Sequence, residues 1–327
     1  MKKFINWGIL GPGAIANSFA KGLSVLGDAK LVAVGSRSLD RAKAFAKEFS
    51  IPKAYGSYEE LVNDPEIDVI YVASPHSEHF EHTMLCLNHG KSVLCEKSIT
   101  VNESQVKQLV STARQKNLFL MEAMWTRFFP ANVKVRKWLS EGLIGEVRML
   151  KADFCFCGEW NPQGRLLNLE LAGGALLDVG IYPVSYASMV FGAQPENIST
   201  IAYIGQTGVD EQFAALFGYE GGKIASISGA IRTQSKYDAY IYGTEGYIHV
   251  PEFFMARSAE LIIYGREPVN YEPEFTGNGY NYEAAEVGRL LRDGATESGV
   301  MRLDESVAIM HTMDVIRSRW GLKYPLE

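Results

Sequence analysis

A short apolar run, Phe4-Ile5-Asn6-Trp7-Gly8-Ile9-Leu10, passes directly into Gly11-Pro12-Gly13-Ala14-Ile15-Ala16, and a helix-forming stretch from Asn17 to Leu26 follows at once. A strand, a G-x-G-x-x-A turn and a helix in immediate succession form the dinucleotide fingerprint in the context that gives it mechanical meaning. Its chemistry lies in missing side chains. Gly11 allows the tight turn, Gly13 lets the backbone approach a pyrophosphate, and Ala16 lets helix and strand pack closely. The helix N-terminus then offers free N–H groups and its positive dipole end to the phosphates, and Ala14 and Ile15 of the turn join the cofactor-binding candidates.

The next strand, Leu31-Val32-Ala33-Val34-Gly35, ends at Ser36-Arg37. An Asp or Glu at this point would bind the ribose 2′-hydroxyl of NAD. Here Ser36 can donate to a 2′-phosphate, while Arg37 and Arg41 can pair with it by charge and stack on adenine, which favours NADP over NAD.

Strand and helix patterns then alternate. Asp68–Ala73 reads as a buried parallel strand that stops at Ser74-Pro75-His76. A helix from about Ser77 to His89 leads to the strand Ser92–Cys95, and the helix Asn102–Lys116 leads to the strand Leu118–Met121. Such alternation makes an α/β Rossmann domain, a doubly wound parallel sheet that binds ligands outside the C-terminal ends of its strands. Ser74, Pro75, His76, His79, Glu96 and Lys97 therefore join the glycine loop on one rim as cofactor-binding candidates. His76, His79 and His82 recur every third residue, but no carboxylate-rich partner stands beside them, so a metal site is not expected.

Composition narrows the class. The 327 residues carry a net charge of −6 with Lys and Arg scattered, which leaves no footprint for nucleic acid. No leader-like N-terminus is visible, and no apolar run approaches the roughly 20 residues that span a bilayer. The four cysteines, Cys86, Cys95, Cys155 and Cys157, contain no C-x-x-C, which points to reduced thiols and a cytoplasmic setting.

After Pro130 the texture changes. A helix from about Ala131 to Glu141 gives way to strands at roughly 146–156, 196–205, 210–219, 223–231, 239–242, 246–250 and 261–264, with Gly221-Gly222 as a hairpin signal. This is an α+β domain with a large, mainly antiparallel open sheet. Helices cover one face, and the other, rich in aromatic and aliphatic residues, is expected to be a subunit interface. The first domain is thus residues 1–123 and the second 124–303, with a last helix at about 304–320 late enough to pack back on the first.

In Gly173–Tyr182, Asp178 and Tyr182 are four apart, one face of a helix, although Gly180 and Pro183 argue for a break nearby. A capping Asp and a core Tyr are the plain alternative. A tyrosine is a poor base at neutral pH unless a positive charge favours its phenolate, and a lysine would supply one.

The glycine fingerprint, the Ser-Pro-His loop, Cys95-Glu96-Lys97-Ser98, the run Met121–Pro130 with its Trp-Thr-Arg-Phe-Phe-Pro, and the run Gly173–Pro183 with its Asp-x-Gly-Ile-Tyr together resemble the Gfo/Idh/MocA oxidoreductase family, in particular its dimeric dihydrodiol and NADP-dependent D-xylose dehydrogenase branch. The resemblance implies that Tyr182 is the general acid/base, Lys97 its electrostatic partner and Asp178 an orienting group. Trp125 and Phe154 are implied as substrate walls, and Arg127 and Arg165 are further candidates for binding hydroxyl or anionic groups. It also implies a homodimer or higher homo-oligomer. The family's usual Glu-Lys-Pro is Glu96-Lys97-Ser98 here, which removes the stiffening proline and keeps the lysine. The expected activity is hydride exchange between NADP and a secondary alcohol or carbonyl of a sugar or cyclic diol. A keto-sugar reductase of the anhydrofructose type would use the same groups in reverse. A dinucleotide-sensing regulator on the same fold would bind the cofactor and move no hydride, and would have no need of an acid/base pair.

Overall fold

A computed structural model of the chain describes residues 4–192, 194–325 and 327. Two compact units emerge. The first takes in the chain up to Thr100, Ser104–Trp125 and Thr276–Val307; the second holds Val101–Glu103, Thr126–Phe275 and the remainder from Ala308.

In the first unit, β1 (Ile5–Leu10), α1 (Ala14–Leu23), β2 (Ala29–Gly35), α2 (Leu39–Phe49), β3 (Lys53–Tyr55), α3 (Tyr58–Val62), β4 (Val69–Val72), α4 (His79–Asn88), β5 (Ser92–Glu96), α5 (Glu103–Gln115) and β6 (Leu120–Ala123) alternate. Six parallel strands lie in the order β3-β2-β1-β4-β5-β6, the doubly wound sheet expected. Helices on both faces explain why β4 and β5 read as unbroken apolar runs: every residue of both strands is buried. Strand order reverses at β1, so the Gly11 turn and the Ser74 loop flank the switch point where such sheets take ligands.

A helix that the sequence reading did not anticipate, Tyr280–Arg292, belongs to this unit. It packs so closely on α1 that a Cβ on Gly22 would stand 2.7 Å from Tyr280 Cβ and 2.6 Å from Asn278 Oδ1. Its core stripe of Tyr280, Ala284, Val287 and Leu290 is helical in period, but flanking polar and charged residues dilute it.

The second unit is built on α6 (Pro130–Ser140), β7 (Val147–Cys155), α7 (Ile181–Phe191) and the strands β8 (Asn197–Ile204), β9 (Asp210–Tyr219), β10 (Lys223–Ala230), β11 (Ala239–Gly243), β12 (Gly246–Val250), β13 (Ala259–Ile263) and β14 (Val269–Tyr271). The sheet order is β14-β13-β12-β11-β7-β10-β9-β8, antiparallel except where β7 meets β10. Gly221 and Gly222, at φ 74° and 75°, turn the chain between β9 and β10 as the sequence indicates. Phe213, Ala215 and Phe217 of β9 point into the core, while Leu216 between them is 54% exposed. On the same face, exposed Ile224 and Met149 and half-buried Tyr242 and Tyr247 pair in succession across strands, and Tyr240 stacks on His249 at 4.3 Å.

One expectation needs correction. The helical stretch Leu169–Phe191 is long and apolar enough to cross a membrane by length and composition alone; its most apolar window is 83% buried within the protein, the burial of a core helix. Charged residues at Glu170 and Asp178 hide this run from a reading that looks for unbroken apolar residues.

Candidate active site

The glycine turn is organised by backbone. Gly11 sits at φ 91°, where an L side chain is strained, and its N–H donates to the Gly35 carbonyl at 3.1 Å. Gly13 is different. Its φ of −106° and ψ of −172° suit any residue, and a Cβ built there meets no protein atom within 4 Å. Nothing inside the protein requires glycine at 13, so its smallness leaves room for something outside it. Among the described residues no side chain caps α1, so the first-turn N–H groups of Ala14 and Ile15 face the same gap. This rim fits a dinucleotide pyrophosphate.

At the end of β2, Ser36 is 4% exposed and its Oγ accepts the Ser38 N–H at 3.2 Å, which leaves its own proton to donate. Ser38 caps α2 through the Arg41 N–H. Arg41 is exposed, and Arg37, also exposed, forms a surface pair with Glu78 at 3.1 Å.

The remaining rim residues tie loops together. His79 is 1% exposed, with Nδ1 at 2.7 Å from the Ser98 carbonyl and Nε2 at 2.8 Å from that of Ser74. Burial pushes its ring down to about 4 against the pull of the two carbonyls, so near neutrality it is uncharged. The neutral ring lies between Ser74-Pro75 and Lys97-Ser98, and its single N–H donates to one of the two carbonyls. His76 Nε2 lies 3.2 Å from the Lys97 carbonyl. Glu96 is buried: Tyr71 donates its hydroxyl to Oε1, and the Lys97 N–H donates to Oε2 at 3.1 Å. Beneath it lies Glu283, fully buried, with burial first and Glu96 second pushing its carboxyl well above the usual range. Lys97 itself is half-buried at the rim, and the Lys97–Ser98 peptide is cis. Glu122 fastens the loop beyond, accepting the Ile99 N–H at 3.1 Å and the Ser306 hydroxyl at 2.7 Å. Trp125 tilts against Tyr280 with ring centroids 4.5 Å apart.

In the second unit, Asp178 lies in a π-helical turn, Leu176–Gly180, that runs without a break into α7. Pro183 supplies no N–H to the turn before it, and the ladder widens: the Ile181 N–H donates to the Leu176 carbonyl five residues back. The break expected from Gly180 and Pro183 is thus a wider turn. Asp178 pairs with Arg165 at 2.6 Å; the aspartate is buried and the arginine 59% exposed. Tyr182, 7% exposed, is walled by Phe154 at 5.2 Å and Phe254 at 5.8 Å, and Tyr237 stands edge-on to Phe154.

Arg127 departs from its expected place. It is 3% exposed, and its Nε and Nη2 donate to the Ser185 hydroxyl and carbonyl at 2.8–3.1 Å. Its guanidinium anchors α7 from inside, a role that burial dictates. Phe254, Tyr237, Glu122 and Glu283 escaped the sequence reading. For the two acids a signal existed, since each interrupts a stretch that is otherwise core. The four cysteines are free, and among the described residues no group of His, Cys, Asp and Glu could hold a metal.

Residues 5–124 match the family described as "Oxidoreductase family, NAD-binding Rossmann fold", and 132–249 match "GFO/IDH/MocA C-terminal domain". The chain is 41% identical over 334 residues to the trans-1,2-dihydrobenzene-1,2-diol dehydrogenase of Mus musculus, and 40% over 333 residues to that of Homo sapiens, covering 99% of every chain compared. In fold it resembles an aldose-aldose oxidoreductase from Caulobacter crescentus complexed with glycerol (TM-score 0.89, 20% identity, 97% of this chain and 98% of that one). It also resembles a 3-ketoreductase from Actinomadura kijaniata in complex with NADP and TDP-benzene (TM-score 0.85, 23% identity, 96% and 97%).

Proposed function

The chain belongs to the Gfo/Idh/MocA oxidoreductase family, and from that premise we propose an NADP-dependent enzyme that exchanges a hydride with a secondary alcohol or carbonyl of a sugar or cyclic diol. The nicotinamide, when bound, supplies the hydride acceptor or donor. Tyr182 exchanges the proton of the substrate hydroxyl. Asp178, held by Arg165, orients the reacting group one helical turn away. Lys97 carries positive charge at the sheet rim, the sign that a hydroxyl losing its proton needs. Trp125 and Phe154 offer flat apolar faces to a ring substrate. The observation that carries the reading is the fingerprint turn itself: Gly11 at φ 91°, open space at Gly13 and the uncapped start of α1 meet at the switch point of a parallel sheet.

Ser36, Arg37 and Arg41, with no acid at the end of β2, support NADP over NAD. The open sheet face, with Ile201 72%, Tyr203 56% and Met149 50% exposed, supports a homodimer through that surface. Four free thiols support the cytoplasm.

The test is NADP reduction, and NADPH oxidation with the matching carbonyls, against trans-dihydrobenzenediol, aldoses and anhydro-sugars. Turnover with one class that is lost in both Tyr182→Phe and Lys97→Met is expected. Tight NADPH binding without turnover across the panel would refute the enzyme reading.

A further inference from the structure

Asp210 opens β9 and is fully buried. Its side chain turns onto the segment that begins the helical run of Asp178 and Tyr182. Oδ2 accepts the Leu176 N–H at 2.7 Å, and the N–H groups of Asp210 itself and of Ala175 also favour its charged form. Gly174, one residue before that segment, sits at φ 119°, and a Cβ on it would stand 2.1 Å from Asp210 Oδ1. The glycine is therefore required twice, by its backbone and by the carboxylate pressed against it. The Tyr324 hydroxyl donates to the Gly173 carbonyl at 3.0 Å. The charged and titratable groups that face Asp210 are Arg317, on the helix Leu303–Trp320, and Tyr324. Arg317 is itself held by Asp314 at 2.6 Å, Glu327 at 2.7 Å and the Val101 carbonyl at 2.9 Å.

We propose that Asp210 is the positioning residue of this helix: by capping its first N–H groups it sets the height and rotation at which Asp178 and Tyr182 are presented, without touching substrate. The proposal rests on the reading of Tyr182 and Asp178 as the reacting and orienting groups. A buried helix start must find acceptors for its free N–H groups, and a carboxylate is the strongest cap. Phe154 and Phe254 wall Tyr182, which follows the capped segment in one unbroken helical run.

Protonation gives the cap a signature. Burial, outweighing the N–H groups and Arg317, pushes the Asp210 carboxyl up to about 7. Above that pH the carboxylate accepts the Leu176 N–H as an anion, and turnover is expected to be highest. Stability moves the other way: with its folded value raised, Asp210 stabilises the fold at low pH, and that contribution is lost as pH rises from the ordinary carboxylate range through about 7. A merely structural aspartate would not make activity and stability change in opposite directions across one window.

The experiment is steady-state oxidation of trans-dihydrobenzenediol with NADP from about pH 5.5 to 9, alongside thermal denaturation over the same range. The chains compared are wild type, Asp210→Asn, Asp210→Ala and Tyr182→Phe. Asp210→Asn keeps the shape and one acceptor; a loss of about tenfold in kcat, an unchanged NADPH Kd and disappearance of the limb near neutrality are expected. Asp210→Ala should lose about a hundredfold. Wild-type kcat in Asp210→Ala, or an acid limb in Asp210→Asn identical to wild type, would overturn the proposal. Full activity in Tyr182→Phe would overturn the acid/base reading and this proposal with it. Loss in Tyr182→Phe with unaltered Asp210 variants would overturn the positioning role alone.

Discussion

Gly13→Ala separates what the protein needs from what a ligand needs. The backbone at 13 is compatible with alanine, and the new methyl would meet no protein atom within 4 Å. Restricting the unfolded chain gains about 0.4–1 kcal/mol, while alanine is about 0.5 kcal/mol poorer than glycine as a helix cap. The two nearly cancel, so the melting temperature should stay within about 2 °C of wild type. A pyrophosphate drawn onto the first turn of α1, by contrast, would find the methyl in its path. Crowding of one methyl in a close-packed contact costs about 1–3 kcal/mol, or about 5- to 150-fold in Kd. Titration calorimetry with NADPH and a thermal melt read the two quantities separately. Gly11→Ala is the contrasting variant: at φ 91° its strain of about 1–3 kcal/mol falls on folding itself. Wild-type NADPH affinity in a folded Gly13→Ala would refute the argument that the gap belongs to the cofactor.

Glu283, buried with Glu96 beside it, has its carboxyl raised in the folded protein. Its stabilising contribution is therefore full below the ordinary carboxylate range and lost as pH rises; Glu283→Gln should gain on wild type in melts at about pH 8.5 relative to about pH 5.5, and parallel curves would refute this. Arg127→Met removes hydrogen bonds from a buried guanidinium to Ser185, so a loss of about 3 kcal/mol with little change in substrate KM is expected. A raised KM at unchanged stability would instead return Arg127 to the substrate. Leu216→Glu with Ile201→Asp puts charge on the open sheet face and should shift the protein to monomer in light scattering, with its melting temperature barely lowered at dilutions where wild type is also monomeric.

What could be read from the sequence was what is local. The glycine turn, the strand-helix alternation and the Gly221-Gly222 hairpin are set by neighbours within a few residues, although bounds shifted, the first helix from the expected Asn17–Leu26 to Ala14–Leu23. Residue type without burial could not show that Arg127 is held by Ser185, 58 positions away in α7, or that the His79 ring lies between two loops. The helix Tyr280–Arg292 was missed because its stripe serves a unit whose other parts end some 150 residues earlier, at Trp125.

The buried acids expose the deeper reason. Glu96 accepts the Lys97 N–H, Glu122 the Ile99 N–H, and Asp210 the Leu176 N–H, so each carboxylate grips backbone at or within two residues of Lys97 or Asp178. In the sequence each is an acid inside or beside an apolar run, a pattern that ordinary strand reading treats as noise. Burying a carboxylate is costly, and at these three positions hydrogen bonds from backbone N–H groups offset part of that cost. An acid that interrupts a core strand should therefore be read first as an anchor for a loop or helix start. In this chain that reading marks Glu122, in Leu120-Met121-Glu122-Ala123, and Asp210, after Val209, as anchors, while their partners Ile99 and Leu176 are set by the fold.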